Sequence, residues 1–507
     1  MAVALLVGAR AHEALVGLDR ALPPQLHGTA ELVGDPQPGT FGTQVEVRLG
    51  GRRWMAQVDR AWSWTVAPLL TGDHVRIEGR PRPFRRVLEP WRRSRHLAGR
   101  LDVTAISRGP PARPWFALAN DVHRLLAVGS ASFGPDRQSL FLGLVLGDDR
   151  DQSDLARYRF RATGLGHLLA VSGQNVAFLM ALARPLLERC GLRARWVVGA
   201  SVLVVFVLVT RAEASVLRAA AMAAVALTAS TSGRVAPGAR ILGLAVIGLL
   251  LADPLLVHST GFRLSVCATA GLLLGVRPLT RLLPGPRSVA EPLATTLAAQ
   301  AATAPLLIGL AGGVPAVATL ANLLAVPAAG LVMMLGLSTG LVAGLVEAPL
   351  AAILNWPTRL LVGWVDSVAA VMSSAPLPLL DPPRLALVGL GVGIVAVGRH
   401  RSPRSAWAVG ALVFVVALLP ASPPPGVYRA ASGVIVRIGS CGRGWVELDG
   451  PRNAVDALEG IRSLGMTRAE VVVAGPGERL VAGAVAEQLG AVHRAPGRSG
   501  GPCSVIP

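Results

Sequence analysis

From Arg195 to Ser230 the chain reads RWVVGASVLVVFVLVTRAEASVLRAAAMAAVALTAS. Two long apolar runs meet at one polar knot, Arg211-Ala212-Glu213. Each run approaches the ~20 residues that a helix needs to cross a bilayer, so the pair reads as two consecutive membrane segments. The same pattern continues on both sides. Between about 163 and 420, apolar runs alternate with short basic or Pro-containing breaks. The cut yields about ten segments: 168–187, 195–211, 212–230, 240–252, 260–277, 291–311, 315–344, 355–375, 385–398 and 405–420. Several are shorter than a full span, as half-helices and re-entrant segments are.

Composition points the same way. The 507 residues are 52% hydrophobic and 16% charged, with a mean hydropathy of +0.52, from which a typical globular surface cannot be built. Disorder is excluded on the same grounds, and four cysteines form no disulfide framework. The formal net charge of +19 comes from arginine alone, because the sequence contains no lysine. That rules out a P-loop within these residues. Charge by itself does not decide between a phosphate-bearing partner, an anionic membrane surface and plain coding bias.

Charge does orient the segments. Arg189, Arg193 and Arg195 share one loop, Arg234 and Arg240 a second, Arg277, Arg281 and Arg287 a third, and Arg399, Arg401 and Arg404 a fourth. The connections at Asp253 to Ser259 and Pro376 to Pro383 are almost free of arginine. All four basic loops fall on one side, which the positive-inside rule makes cytoplasmic. The flanking zones then lie outside. The expected domains are 1–108, an OB-like β domain with a basic segment; 109–162, an amphipathic connector; 163–420, the membrane domain; and 425–507, a short α/β tail.

In the first zone, Gln44 to Leu49 (QVEVRL) and His74 to Glu78 (HVRIE) alternate apolar with polar, bounded by Gly-, Pro- and Asp-rich turns. Such spacing predicts a small β-barrel or sandwich, an OB-like barrel among the candidates. Behind it Arg82, Arg85, Arg86, Arg92, Arg93 and Arg95 surround Phe84 and Trp91. This mixture suits DNA phosphate with base stacking, and equally lipid headgroups.

Polar groups inside apolar segments each need a reason, at about 2.5–3.5 kcal/mol for a charge in hydrocarbon. Arg211 and Glu213 lie near a segment end, where snorkelling serves. Arg218 lies two turns in, and calls for a partner elsewhere, a watery cavity or an anionic substrate. Thr296, Gln300 and Thr303 form one stripe, of a kind that more often joins helices than lines a pore. Pro305, and Asn322 with Pro327, are expected to break their helices. Gly336, Gly340 and Gly344 make a small-residue stripe for close packing. The sharpest motif is His167 to Val176 (HLLAVSGQNV), too polar for a lipid-facing turn.

The run LGLVLGDDR, followed by FRATGLGHLLAVSGQNVAFLM, resembles the competence domain of the ComEC family, the inner-membrane channel for DNA uptake in natural transformation. Arg211 to Met222 (RAEASVLRAAAM), Asp253-Pro254 with Gly261 to Ser265 (GFRLS), and Asn322 to Gly330 (NLLAVPAAG) look like the same family, in family order over roughly 138–335. The resemblance implies a polytopic α-helical membrane protein that passes single-stranded DNA inward, with an external OB-like domain. On it the DNA path is expected at His167, Ser172, Gly173, Asn175, Arg211, Arg218, Arg263, Gln300 and Asn322. No cofactor is expected. The partners are single-stranded DNA, membrane lipid, a separate cytoplasmic motor and DNA receptor, and a second copy of the chain. A contrasting reading is an intramembrane hydrolase using Ser172 with His167 or His258, although five residues on a helix do not bring Ser172 and His167 face to face.

Two departures from the family's pattern stand out. Its members usually begin with membrane helices ahead of the OB-like domain, so a start upstream of Met1 is expected. Its longer members end in a metallo-β-lactamase-like domain. Here Gly433 to Asp449 and Ala454 to Ala474 resemble that domain's opening, but the metal-binding position reads Ala474-Gly475-Pro476-Gly477-Glu478-Arg479, without histidine. His493 is the tail's one histidine, and Cys441 and Cys503 are candidates to pair if the tail is outside. Three protein ligands are usual for catalytic zinc, so the tail is expected to hold none and to cleave no DNA. Metal-dependent nicking of DNA by the purified chain would refute that.

Overall fold

The computed structural model describes residues 2–39, 42–84, 89–232, 236–375, 377–398, 403–419, 426–430, 433–438, 444–448, 453–464, 466, 469–475 and 478–494. Arg85, Arg86, Arg234, Arg401, Cys441 and Cys503 lie outside the described residues. Packing divides the chain into two units. One holds Met1–Asp151, Ala170–Leu273 and Gly330–Leu360; the other holds Gln152–Leu169, Leu274–Ala329 and Leu361–Pro507.

The first unit opens on a helix, Ala2–Leu18, where the sequence reading began almost directly on strands. Arg10 on this helix donates to the Leu251 carbonyl, and Arg92 donates to the Leu18 carbonyl at its end. A barrel follows, built from β1 (Leu26–Leu32), β2 (Gln37–Gly39), β3 (Gly42–Leu49), β4 (Arg52–Asp59), β5 (His74–Arg82) and β6 (Leu97–Arg108). The closed order is β1-β5-β6-β4-β3 and back to β1, with β2 added at β3. Every pairing is antiparallel except β4 with β6. A helix, Arg60–Val66, fills the β4 to β5 connection, capped by the Asp59 carboxylate on the Ala61 amide. This is the OB arrangement. Alternation sets its register: Val45, Val47, Leu49, Val75 and Ile77 point inward around Trp54, whose indole donates to the Leu49 carbonyl at 3.1 Å. Glu46 breaks the pattern, buried on β3 and paired with Arg95.

Residues 109–146 are more than an amphipathic connector. Helices Pro114–Gly129 and Pro135–Leu146 fold back on each other, with Phe133 edge-on to Phe141 at 5.3 Å. Their tip packs on the glycine stripe. A Cβ on Gly344 would stand 2.2 Å from the Leu125 carbonyl oxygen, and one on Gly336 2.7 Å from Val145. Asn355 donates to the Gly129 carbonyl at 2.8 Å in the same contact. Sixteen and twelve residues are too short to span, so the pair is a helical hairpin and not two membrane spans.

Each of the ten expected segments coincides with helix, and among the described residues five helices are long and apolar enough to cross a membrane: Leu192–Val209, Ala214–Thr231, Thr260–Leu282, Arg287–Ala311 and Ala318–Ala343. Gly238–Ala252 and Pro382–Gly398 are shorter apolar helices. The expected breaks at Pro305 and Pro327 do not occur. Helix Arg287–Ala311 runs through Pro305, and helix Ala318–Leu335 through Pro327. In hydrocarbon no water replaces a broken backbone bond, so the ladder on either side of one missing N–H is kept. The irregularity comes instead at the glycines, as a π-turn at Gly336–Gly340.

In the second unit the tail forms a five-stranded sheet. Strands Gly426–Ala430, Val434–Ile438 and Gly444–Leu448 run antiparallel, and Val471–Ala474 and Val492–Arg494 extend it in parallel. Helix Asp154–Ala162 joins the tail's core through Tyr158 and Ala162, and Arg159 bonds Gln488 at 3.1 Å and Glu487 at 3.0 Å. The stripe predicts a sharp asymmetry between glycines. Gly344→Ala should destabilise the chain by about 1–3 kcal/mol through overpacking, read as a lower melting temperature in detergent. Gly389→Ala, with open space around it, should not. Equal behaviour of the two would refute the packing.

Candidate functional site: polar clusters at the helix mouths

Ser172 ends the extended link after helix Gly166–Leu169 and precedes helix Gly173–Glu188. Its hydroxyl donates to the Asn175 side-chain oxygen at 3.2 Å. Asn175, buried, donates in turn to the Leu144 carbonyl at 3.5 Å, and Ser215 donates to the Val171 carbonyl. The motif is thus tied to the helical hairpin and to the start of helix Ala214–Thr231. Gly173 has a steric purpose, because a Cβ there would stand 2.4 Å from the Arg218 Nη2.

Arg218 fills that space. It is 5% exposed, with Nε donating to the Ser265 hydroxyl at 2.8 Å and Nη1 directed at the Met222 sulfur at 3.0 Å. Among the described residues no carboxylate pairs with it. Three motifs distant in sequence therefore meet at one guanidinium: SGQN, RAEASVLR and GFRLS. Arg263, the residue expected from the last of these, has its Nε buried without a hydrogen-bond partner. Burial, then the Arg93 and Arg263 charges, hold His258 below the ordinary imidazole range.

Arg211 does not snorkel. Both Arg211 and Ala212 adopt positive φ, 57° and 54°, a conformation that strains side chains with a Cβ. The turn aims Arg211 at the barrel, where Nε meets Asp35 at 3.0 Å. The Thr71 amide and hydroxyl also donate to Asp35, at 2.7 and 2.8 Å. Beside them lies Asp148 from the GDD run, gripped by Arg150 through two bonds of 2.8 and 2.6 Å, and His123, whose Nε2 donates to the Val209 carbonyl at 2.8 Å. Burial pushes both carboxyls up, but the arginines outweigh it and hold them below the ordinary carboxylate range. Glu213 is raised, chiefly by burial. Sequence reasoning missed Asp35, His123 and Ser265. A lone Asp in a turn, a lone His and a lone Ser carry no spacing signal; the charged run Asp148-Asp149-Arg150 did.

The basic segment is less free than its composition suggested. Arg82 pairs with Asp102 at 2.6 Å, Arg92 with Asp19 at 2.7 Å, and Arg95 with Glu46. Trp91 stands edge-on to Phe84 at 5.8 Å.

In the second unit, His167 is exposed, with Nδ1 donating to the Gly164 carbonyl at 3.0 Å. Gln300 accepts from Thr319 at 2.8 Å, joining helices as its stripe predicted, while Thr296 and Thr303 bond back to their own helix. The Gln300 Nε2 and the Asn322 Oδ1 are buried without partners.

Fold and clusters define a membrane protein of many helices, fitted with an OB barrel and with ionised groups held at its helix mouths. The profile of the competence protein family (Competence protein) matches residues 144–430. The chain belongs to the competence protein family. ComE operon protein 3 of Bacillus subtilis (strain 168) is 28% identical over 185 residues, 35% of this chain and 24% of that protein. The chain thus spans about a quarter of that relative's length. No solved structure matches.

The barrel's hold on the helices is testable through His96 and Asp253, 2.8 Å apart. Burial raises the Asp253 carboxyl, yet His96 and the Leu255 amide outweigh it and bring it below the ordinary carboxylate range. A depressed acid contributes stability that is full above its unfolded value and lost as pH falls through the folded one. Asp253→Asn should therefore lose about 1–2 kcal/mol near neutral pH and shed part of the wild-type acid loss. Thermal unfolding between about pH 6 and pH 3 reads this, and identical acid loss in both chains would contradict it.

Proposed function

We propose that this chain conducts single-stranded DNA across the cytoplasmic membrane, without a nuclease of its own. The observation that carries the reading is Arg218. A guanidinium within a membrane helix, lacking a carboxylate, needs water or an anion, and DNA phosphate is an anion that guanidinium binds well. Membership of the competence family supports the same reading. So do the unpartnered Gln300 and Asn322 atoms, since buried polar groups without protein partners call for water. The DNA contacts proposed in the first unit are Ser172, Gly173, Asn175 and Arg218, and those proposed in the second are His167, Gln300 and Asn322. Arg211 is better understood as the anchor of Asp35 than as a DNA contact.

The barrel meets the helices at Arg211 and Asp253, both in connections outside the four basic loops. Helix Asp154–Ala162 shares a core with the tail. Both contacts agree with a barrel and tail outside and basic loops in the cytoplasm. The basic segment as a whole, Arg82 to Arg95, would collect phosphate at the outer face, from DNA or lipid. A separate motor and receptor supply force and capture, and a second copy of the chain is a further candidate partner. The hydrolase alternative has less support, because Ser172 donates to an amide oxygen, which cannot act as its base.

Arg218→Glu should abolish uptake of labelled DNA while the protein still accumulates in the membrane. Arg218→Gln should slow uptake, with a defect that varies with salt. Immunoblotting beside uptake separates this from a structural arginine, which on substitution would strand its partners and cost protein. Normal uptake by an abundant Arg218→Glu chain would sink the assignment.

A further inference from the structure

The cluster beneath the barrel contains an atom that nothing yet explains. His123 is 5% exposed. Its Nε2 faces the Val209 carbonyl at 2.8 Å; a carbonyl can only accept, so Nε2 carries the proton. In the neutral ring Nδ1 is then a bare lone pair. It is buried without a hydrogen-bond partner and points at the Asp148 carboxylate, 3.9 Å away. One donor atom each from Asp35, His123 and Asp148 lies within 4.8 Å of the others. Arg150 and Arg211 offset the two carboxylates from one side, but the Nδ1 lone pair that faces them is left unanswered.

The surroundings are those of a metal ligand set. A ligating histidine characteristically gives its other N–H to a backbone carbonyl, which fixes tautomer and ring plane, and ligating carboxylates are themselves hydrogen-bonded. Val209 does the first. Arg150 and Thr71 do the second, each on a different aspartate. The Oδ2 of each aspartate accepts one hydrogen bond, Asp35 from Arg211 and Asp148 from Arg150, and keeps a further lone pair for an ion.

We propose that Asp35, His123 and Asp148 bind a zinc ion that clamps the barrel to the helical hairpin. The set of one imidazole and two carboxylates suits zinc, with water as fourth ligand. Arg150 and Arg211 sharpen the choice. Two guanidiniums oppose a hard cation held by charge alone, and favour an ion that gains from bonding to imidazole. Zinc bonds of ~2.0–2.2 Å draw the three side chains inward from their present spacing. The clamp ties the β1–β2 turn, helix Pro114–Gly129 and the GDD turn at one point, beside the strained Arg211-Ala212 turn. It concerns the barrel's seat and is independent of what passes through the helices.

The test uses the full chain in detergent, stripped with a chelator and titrated with zinc alone. One equivalent should bind by elemental analysis and raise the melting temperature. Cobalt in its place should give visible bands without a thiolate charge-transfer band. His123→Gln should weaken zinc at least tenfold, whereas Glu478→Gln in the tail should leave binding unchanged. Should His123→Gln fail to fold, the titration of the unaltered chain decides alone. Substoichiometric zinc, or no rise in melting temperature, would overturn the proposal; so would thiolate bands, or binding unaffected by His123→Gln. Stability that answers only to pH, with a proton on Nδ1 in place of the metal, would overturn it too.

Discussion

A guanidinium buried among apolar helices, with a serine and a methionine sulfur in place of a carboxylate, is the constraint on which the rest depends. In hydrocarbon such a charge is expensive. The chain nevertheless spends a glycine at 173 to make room for it, and brings Ser265 from another helix to meet it. A structural ion pair would have met the need with an aspartate. Leaving the charge unanswered makes sense where an anion arrives from outside, which is why the mouth motif, the polar helix turns and the barrel are best understood together.

The barrel is seated by polar contacts that lie at helix ends. Asp35 reaches Arg211, and His96 reaches Asp253. Each joins a loop or strand end of the barrel to a turn between helices. The positive φ angles at Arg211 and Ala212 show the backbone held in a disfavoured shape to deliver one of these contacts. Strain of this kind persists only where the surroundings over-determine it.

Much of the fold was legible because it rests on periodicity. Val45, Val47, Val75 and Ile77 alternate as barrel strands do, and the ten apolar segments all fall on helices. The glycine stripe was legible too, since close approach demands small residues wherever it occurs. What failed to show were effects that depend on the surroundings. Pro305 and Pro327 read as breaks on propensity alone, but hydrocarbon enforces the helix around them. Residues 109–146 looked like a connector because two short helices gain their burial only from the stripe at 336–344, some two hundred positions on. In the site, Arg218 announced itself by being charged in an apolar run. Its contact Ser265 did not, nor did the partnership of Arg211 with Asp35. Those pairings are tertiary and leave no local pattern. The arginines of 82–95 misled in the other direction: composition suggested a free basic patch, while Asp102, Asp19 and Glu46 neutralise three of them.

The central claim is that the space around Arg218 is wet and answers to phosphate. A cysteine placed at Ser265, in an otherwise cysteine-free chain in membrane vesicles, measures this directly. The account predicts reaction with a small water-soluble thiol reagent, slowed when single-stranded DNA is present. A thiol that stays unreactive while the protein is folded, or one whose reaction ignores DNA, would contradict it.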